Sequence, residues 1–197
     1  AKLRGATIVF DIPSVGATGN AIMAAALAAG TTVIENAACE PEIESLGAFL
    51  CEMGARITGA GTRTVRIEGV PALQPVDFAV IPDRIEAGTY LLAAAITGGA
   101  LTVRDVEPAD LAPLLEKLSE CGCSIETTDS TIHVDRQASL KSRDIVTAPH
   151  PGFPTDLQAQ YMALMTQADG GAMICETIFE NRFQHVPELR RLGANIE

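Results

Sequence analysis

Apolar residues along the chain follow two different helical patterns, separated by short alternating runs. Over 17–29 the sequence is apolar on nearly every side, with Ala21, Ile22, Met23, Ala24, Ala25, Ala26 and Leu27 in succession. A helix without a polar face is expected to be buried all round, and Gly30 is placed to end it. Over 41–53 the pattern changes. Ile43, Leu46, Phe49, Leu50 and Met53 recur every three or four positions, and Glu42, Glu44 and Glu52 fall elsewhere, which predicts a helix with one wet face. Pro41 suits its first turn and Gly54 its end. Residues 7–11 and 32–34 read as strands. Residues 55–58 and 64–67 alternate about Gly59-Ala60-Gly61, predicting a hairpin with one solvated face.

The same order then recurs. A fully apolar helix is expected at 86–98, a strand at 100–104, an amphipathic helix at 108–121 and a hairpin of 124–127 with 131–134. A third round begins at Ile145, with a helix at 155–168, a strand at 172–176 and a helix at 186–192. Gly30, Gly99 and Gly170, and likewise Gly54, Gly122 and Gly193, punctuate the rounds at intervals of about 70 residues, longer than a common solenoid repeat. Met53-Gly54-Ala55-Arg56-Ile57, Cys121-Gly122-Cys123-Ser124-Ile125 and Leu192-Gly193-Ala194-Asn195-Ile196 are one corner written three times. The repeating unit is strand–helix–strand–helix–strand–strand. Its two helix types and half-wet sheets predict an α/β fold with helices inside and sheets outside. Helices 17–29, 86–98 and 155–168 are accordingly expected to be more buried than 41–53, 108–121 and 186–192. Residues 71–82, with Pro71, Pro75 and Pro82, read as an exposed connection and the candidate boundary, with Pro82 beginning a new unit.

Composition narrows the partners. The formal net charge is −11 with no basic cluster, and there are six Phe, two Tyr and no Trp. Nucleic acid and anionic membrane surfaces are therefore not expected as partners, nor is stacking on bases. Hydrophobic residues make up 47%, but no run reaches a membrane span and no signal peptide is legible, which points to the cytoplasm. Cys39, Cys51, Cys121, Cys123 and Cys175 are odd in number and irregular in spacing, and read mostly as small core residues. His133, His150 and His185 are scattered, and no metal site is expected. The chain starts at Ala1 and stops at Asn195-Ile196-Glu197 as a strand begins, which reads as a piece of something longer.

Polar residues with chemical potential gather where helices begin. Ser14-Val15-Gly16-Ala17-Thr18 puts a hydroxyl, a glycine and free amides at the start of a buried helix, where an anion can approach the backbone. Any capped helix looks similar. Pro151-Gly152-Phe153-Pro154-Thr155-Asp156 makes a stiff turn, with Thr155 as the expected cap and Asp156 in the first helical turn. Asp156 can accept a hydroxyl proton or hydrogen-bond a sugar; a helix start and nothing more is the plain alternative. Arg182, between Phe179 and Phe183, can fork onto a carboxylate or phosphate, or form a surface pair with Glu180 or Glu188.

Four motifs in order carry a resemblance over the whole length. Asp11-Ile12-Pro13-Ser14-Val15-Gly16-Ala17-Thr18, Pro82-Asp83-Arg84-Ile85-Glu86-Ala87-Gly88-Thr89, Pro149-His150-Pro151-Gly152-Phe153-Pro154-Thr155-Asp156 and Glu176-Thr177-Ile178-Phe179-Glu180-Asn181-Arg182-Phe183 together resemble the UDP-N-acetylglucosamine 1-carboxyvinyltransferases, the enolpyruvyl transferases of bacterial peptidoglycan synthesis. The resemblance implies an inside-out α/β barrel in two domains, with 1–81 the C-terminal part of one and 82–197 the N-terminal part of the other. It implies transfer of the enolpyruvyl group of phosphoenolpyruvate to the 3′-hydroxyl of UDP-N-acetylglucosamine, through a tetrahedral intermediate that loses phosphate, without metal or cofactor. By this resemblance Ser14, Val15 and Gly16 contact the nucleotide sugar, Asp156 stands at the reacting hydroxyl as base, Ile178 is an apolar contact to the nucleotide sugar, and Arg182 lines the phosphoenolpyruvate side. Ile12 stands where some relatives carry a lysine. The family's Lys-Asn pair, its glycine-rich loop with a reactive cysteine, and a later aspartate and arginine have no counterpart here. The chain is therefore expected to need the remainder of an enzyme and to be inert alone. A non-catalytic UDP-sugar-binding module and a purely structural repeat domain are the other readings.

Overall fold

A computed structural model of the protein describes residues 2–197. The chain divides into two compact units, one ending at Ile81 and the other beginning at Pro82.

In the first unit the elements are β1 (Thr7–Val9), α1 (Val15–Ala26), β2 (Thr31–Glu35), α2 (Pro41–Glu52), β3 (Arg56–Thr58) and β4 (Thr64–Glu68). The sheet order is β1-β2-β4-β3, with β1 parallel to β2 and the other pairs antiparallel. Register decides which side of this sheet is dry. Thr32 pairs with Ile67 and Ile34 with Val65, and all four are buried, whereas Thr64, Arg66 and Glu68 face water. Ile22 and Ala26 of α1 and Ile43 and Leu50 of α2 complete that core.

The second unit runs α3 (Arg84–Thr97), β5 (Ala100–Arg104), a 3-10 turn (Pro108–Leu111), α4 (Ala112–Glu120), β6 (Ser124–Thr127), β7 (Thr131–Asp135), β8 (Ile145–Val146), a second 3-10 turn (Thr155–Leu157), α5 (Gln158–Met165), β9 (Ile174–Cys175) and α6 (Val186–Arg191). β5, β7 and β6 form an antiparallel sheet, and β8 and β9 a short parallel pair. Leu91 and Leu92 of α3, Leu114 and Leu118 of α4, Ile132 and Val134 of β7 and Tyr161 and Leu164 of α5 pack into one core. The Tyr161 hydroxyl, fully buried, donates to the Arg143 carbonyl at 3.0 Å. Burial and the Cys121 thiol beside it hold this phenol well above its ordinary pKa.

The expected ranking of helices holds. Residues 17–29, 86–98 and 155–168 each carry more buried positions than 41–53, 108–121 and 186–192, and α6 has none. Helix α3 ends at Gly98-Gly99 as expected, with Gly98 left-handed at φ 72°, while α1 and α5 end four and five residues before Gly30 and Gly170. Three expectations need correction. Helix α1 is not buried all round: Met23 and Leu27 are 48% and 50% exposed, because only one side of α1 packs on α2 and the sheet. The segment expected as helix 155–168 begins as a 3-10 turn and ends at Met165, and the strand expected at 172–176 pairs only at Ile174 and Cys175. Of the cysteines, Cys121 and Cys123 are buried, but Cys51 and Cys175 are exposed, so the thiols are not mainly core residues. Among the described residues no helix is long and apolar enough to cross a membrane.

Candidate functional site

Parallel pairing of β8 with β9 brings the residues that follow them together. The Thr147 amide donates to the Cys175 carbonyl, so Thr147 and Glu176 emerge side by side. The chain after Glu176 turns back at once. Glu176 Oε1 accepts the amides of Ile178 at 2.8 Å and Phe179 at 3.2 Å, together with the Thr147 hydroxyl at 2.9 Å. Its Oε2 accepts the Thr155 hydroxyl at 2.8 Å. Burial alone would raise the Glu176 pKa; the bonds from Thr155, the Ile178 amide, Thr147 and the Phe179 amide outweigh it and hold the carboxyl below the ordinary glutamate value.

Five residues after Glu176, Asn181 takes a left-handed conformation (φ 57°) that asparagine tolerates, and the turn delivers Arg182 to the start of the helical run at 155. Arg182 Nη1 donates to Thr155 Oγ1 at 3.0 Å, and Nη2 donates to Asp156 Oδ1 at 2.6 Å. The guanidinium also lies over the Phe179 ring, 4.9 Å from its centroid. The surface-pair alternatives for Arg182 are thereby replaced: Glu188 pairs with Arg191 instead. With side chains 35% and 55% exposed, the Arg182–Asp156 pair adds at most about 1 kcal/mol to stability.

Thr155 is not the helix cap that its sequence position suggests. Pro154 holds that position and makes no side-chain cap bond, while the Thr155 hydroxyl is spent on Glu176 and Arg182. Asp156, Phe179, Arg182 and His185 line an open concavity of about 600 Å³. His185 Nε2 lies 3.2 Å from Met162 Sδ, and burial pushes the imidazole pKa down. A carboxylate and a guanidinium at the rim of such a concavity can together take a proton from a hydroxyl and hold an anionic group.

Asp156 and Arg182 are thus brought into direct contact, and Ile178, half-buried, is fixed in the same loop through its amide. Ser14, Val15 and Gly16 belong to the first unit. There Ser14 caps α1 as expected, accepting the Ala17 amide at 3.2 Å, and the space a Gly16 side chain would occupy is open. The first two amides of α1, Val15 and Gly16, have no acceptor within the helix. Reading of the residues did not single out Glu176, Thr147 or His185. Glu176 opens the fourth motif, and its position directly before a tight turn was the one available signal.

The whole chain, residues 1–197, matches the family profile described as EPSP synthase (3-phosphoshikimate 1-carboxyvinyltransferase). It is similar to the solved enolpyruvyl transferase NikO from Streptomyces tendae, with a TM-score of 0.84 and 27% identity over 98% of this chain and 48% of that one. An EPSP synthase structure from Acinetobacter baumannii shares the fold, at a TM-score of 0.57 and 20% identity over 88% of this chain and 40% of that one. Fold and site thus define an α/β protein of the enolpyruvyl transferase class. The chain belongs to the EPSP synthase (3-phosphoshikimate 1-carboxyvinyltransferase) family. Within it, the chain is 56% identical over 196 residues to the UDP-N-acetylglucosamine 1-carboxyvinyltransferase of Chlorobium luteolum and 56% identical over 195 residues to that of Bdellovibrio bacteriovorus. It covers 46% and 47% of those proteins, and so spans about half the length of the curated relatives it matches.

Proposed function

We propose that these residues form part of an enzyme that transfers the enolpyruvyl group of phosphoenolpyruvate to the 3′-hydroxyl of UDP-N-acetylglucosamine, the first committed step of peptidoglycan synthesis. The observation that carries this reading is the direct contact of Asp156 and Arg182 at the rim of the concavity, in a chain 54–56% identical to relatives of that name. Residues 1–81 are the C-terminal part of one enolpyruvyl transferase-like domain and 82–197 the N-terminal part of the second. The remainder of the enzyme supplies the other site residues and covers the apolar outer side of α1. The complete protein works in the cytoplasm.

In this mechanism Ser14, Val15 and Gly16 hold the nucleotide sugar through the open start of α1, and Ile178 contacts it from the loop after β9. Asp156 Oδ2 receives the 3′-hydroxyl, while Oδ1 stays within reach of Arg182. The sugar oxygen bonds to C2 of phosphoenolpyruvate as its proton passes to Asp156 and the C2–C3 double bond takes a proton at C3 from an acid supplied by the remainder of the enzyme, which receives a C3 proton back in the elimination that follows. The resulting tetrahedral intermediate then loses a proton from C3 and its C2–O bond to phosphate. The double bond is restored and inorganic phosphate leaves. Arg182 offsets the negative charge of phosphoenolpyruvate throughout. No cofactor enters these steps.

The test mixes the complete protein with both substrates and follows phosphate release and formation of the enolpyruvyl ether. Steady release of both products is expected from the complete protein and none from the 197-residue chain alone. Binding of UDP-N-acetylglucosamine with no phosphate release by the complete protein would overturn the catalytic reading in favour of a binding module.

A further inference from the structure

We infer that Glu176 is a positioning residue that aims Arg182 at the anionic substrate through the Thr155 hydroxyl. The inference rests on the proposed roles of Asp156 and Arg182. Glu176 is no ligand-facing group. All four of its partners donate to it: the hydroxyls of Thr147 and Thr155 and the amides of Ile178 and Phe179. Such a ring of donors is satisfied only by an ionised carboxylate, in keeping with the downward displacement of its pKa.

The direction of each bond has a consequence. Because Thr155 spends its proton on Glu176 Oε2, its oxygen lone pairs are left for Arg182 Nη1 at 3.0 Å. Arg182 Nη2 then falls on Asp156 at 2.6 Å. Glu176 also closes the turn at Ile178 and Phe179, which carries the ring under the Arg182 guanidinium. One carboxylate therefore sets both the hydroxyl that Arg182 leans on and the aromatic face it lies over. The two halves separate by oxygen: Oε1 serves the turn and Thr147, and Oε2 serves Thr155 alone.

That division makes Glu176→Gln a selective change. Its carbonyl oxygen belongs where Oε1 accepts three bonds, which puts the amide NH₂ where Oε2 was. The new N–H then donates to Thr155, whose oxygen must accept from both Gln and Arg182, while its own proton loses its acceptor. The turn at Ile178 survives, while Thr155 keeps a lone pair for Arg182 but loses the acceptor that turned its oxygen toward the guanidinium, so the anchor of Arg182 is weakened. Thr155→Val removes the same anchor from the other side, and Thr155→Ser restores it.

Steady-state kinetics of the complete enzyme test this, with both substrates varied and thermal unfolding measured on each variant. Glu176→Gln and Thr155→Val are each expected to lower kcat/KM for phosphoenolpyruvate by roughly 10-fold, with KM for UDP-N-acetylglucosamine within about twofold of wild type. The double variant should be no worse than either single one, since both cut one path. Thr155→Ser should return to within about threefold of wild type. Equal loss in kcat with both KM values unchanged would mean a smaller active fraction and would overturn the inference, as would additive losses or a Thr155→Ser variant as impaired as Thr155→Val. If the wild-type enzyme itself forms no enolpyruvyl product, the underlying reading of the site fails instead.

Discussion

Arg182 Nη2 sits 2.6 Å from Asp156 Oδ1, so the residue proposed as base and the residue proposed to hold the anion neutralise each other before any substrate arrives. An incoming phosphate or carboxylate competes for the same guanidinium. Drawing Arg182 toward the anion leaves the Asp156 carboxylate less engaged, as a base needs to be. In the proposed mechanism, binding of one substrate would thus prepare the group that acts on the other.

Asp156→Asn keeps the size of the side chain and an acceptor for Arg182 but removes the proton acceptor. In the complete enzyme turnover is expected to fall by about 10²-fold or more, with UDP-N-acetylglucosamine binding retained by calorimetry. Turnover within a few-fold of wild type would take the base role from Asp156.

Arg182→Ala removes a cation from developing negative charge, and a loss of about 10²–10³ in rate is expected. Arg182→Lys retains charge but not the fork that reaches Thr155 and Asp156 together. Its kcat/KM for phosphoenolpyruvate should lie between those of alanine and wild type. A lysine variant equal to wild type would show that charge alone suffices.

Glu176 couples the site to acid stability. Its folded-state pKa is depressed, so its contribution is fully present above the unfolded-state value of about 4.3 and is lost as pH falls through the lower folded-state value. Chemical unfolding of the complete protein between pH 3 and 6 should therefore show a shallower fall with acid in Glu176→Gln than in wild type. Parallel curves would count against the hydrogen-bonded carboxylate.

Two glycine substitutions separate packing from binding. A Cβ on Gly88 would stand 2.6 Å from Leu157 Cδ1, 3.1 Å from Leu114 Cδ2 and 3.2 Å from Leu111 Cδ2, in the core of the second unit. Gly88→Ala is expected to cost about 1–3 kcal/mol of stability by overpacking. A Cβ on Gly16 meets nothing within 4 Å. Gly16→Ala should leave thermal stability within about 0.5 kcal/mol while weakening UDP-N-acetylglucosamine binding. Unchanged affinity in Gly16→Ala would remove that helix start from the nucleotide-sugar site.

The sequence by itself determined the order of elements and their repetition. A helix repeats every 3.6 residues and a strand every two, so a buried stripe such as Ile43, Gly47 and Leu50, or Val65 and Ile67, is written in local spacing. Resemblance of four motifs added candidate residues one by one, but not their contacts. Only the tertiary structure decided that Thr155 serves Arg182 rather than the helix, and that Glu176, 20 positions from Asp156, holds the loop bearing Arg182. Contacts of that kind depend on the parallel register of Ile145 with Ile174 and Val146 with Cys175, and on a left-handed turn at Asn181. Neither leaves a periodic trace. Exposure of Met23 and Leu27 was decided there too, because apolar patterning records which residues can be buried, while burial itself requires a surface to pack against.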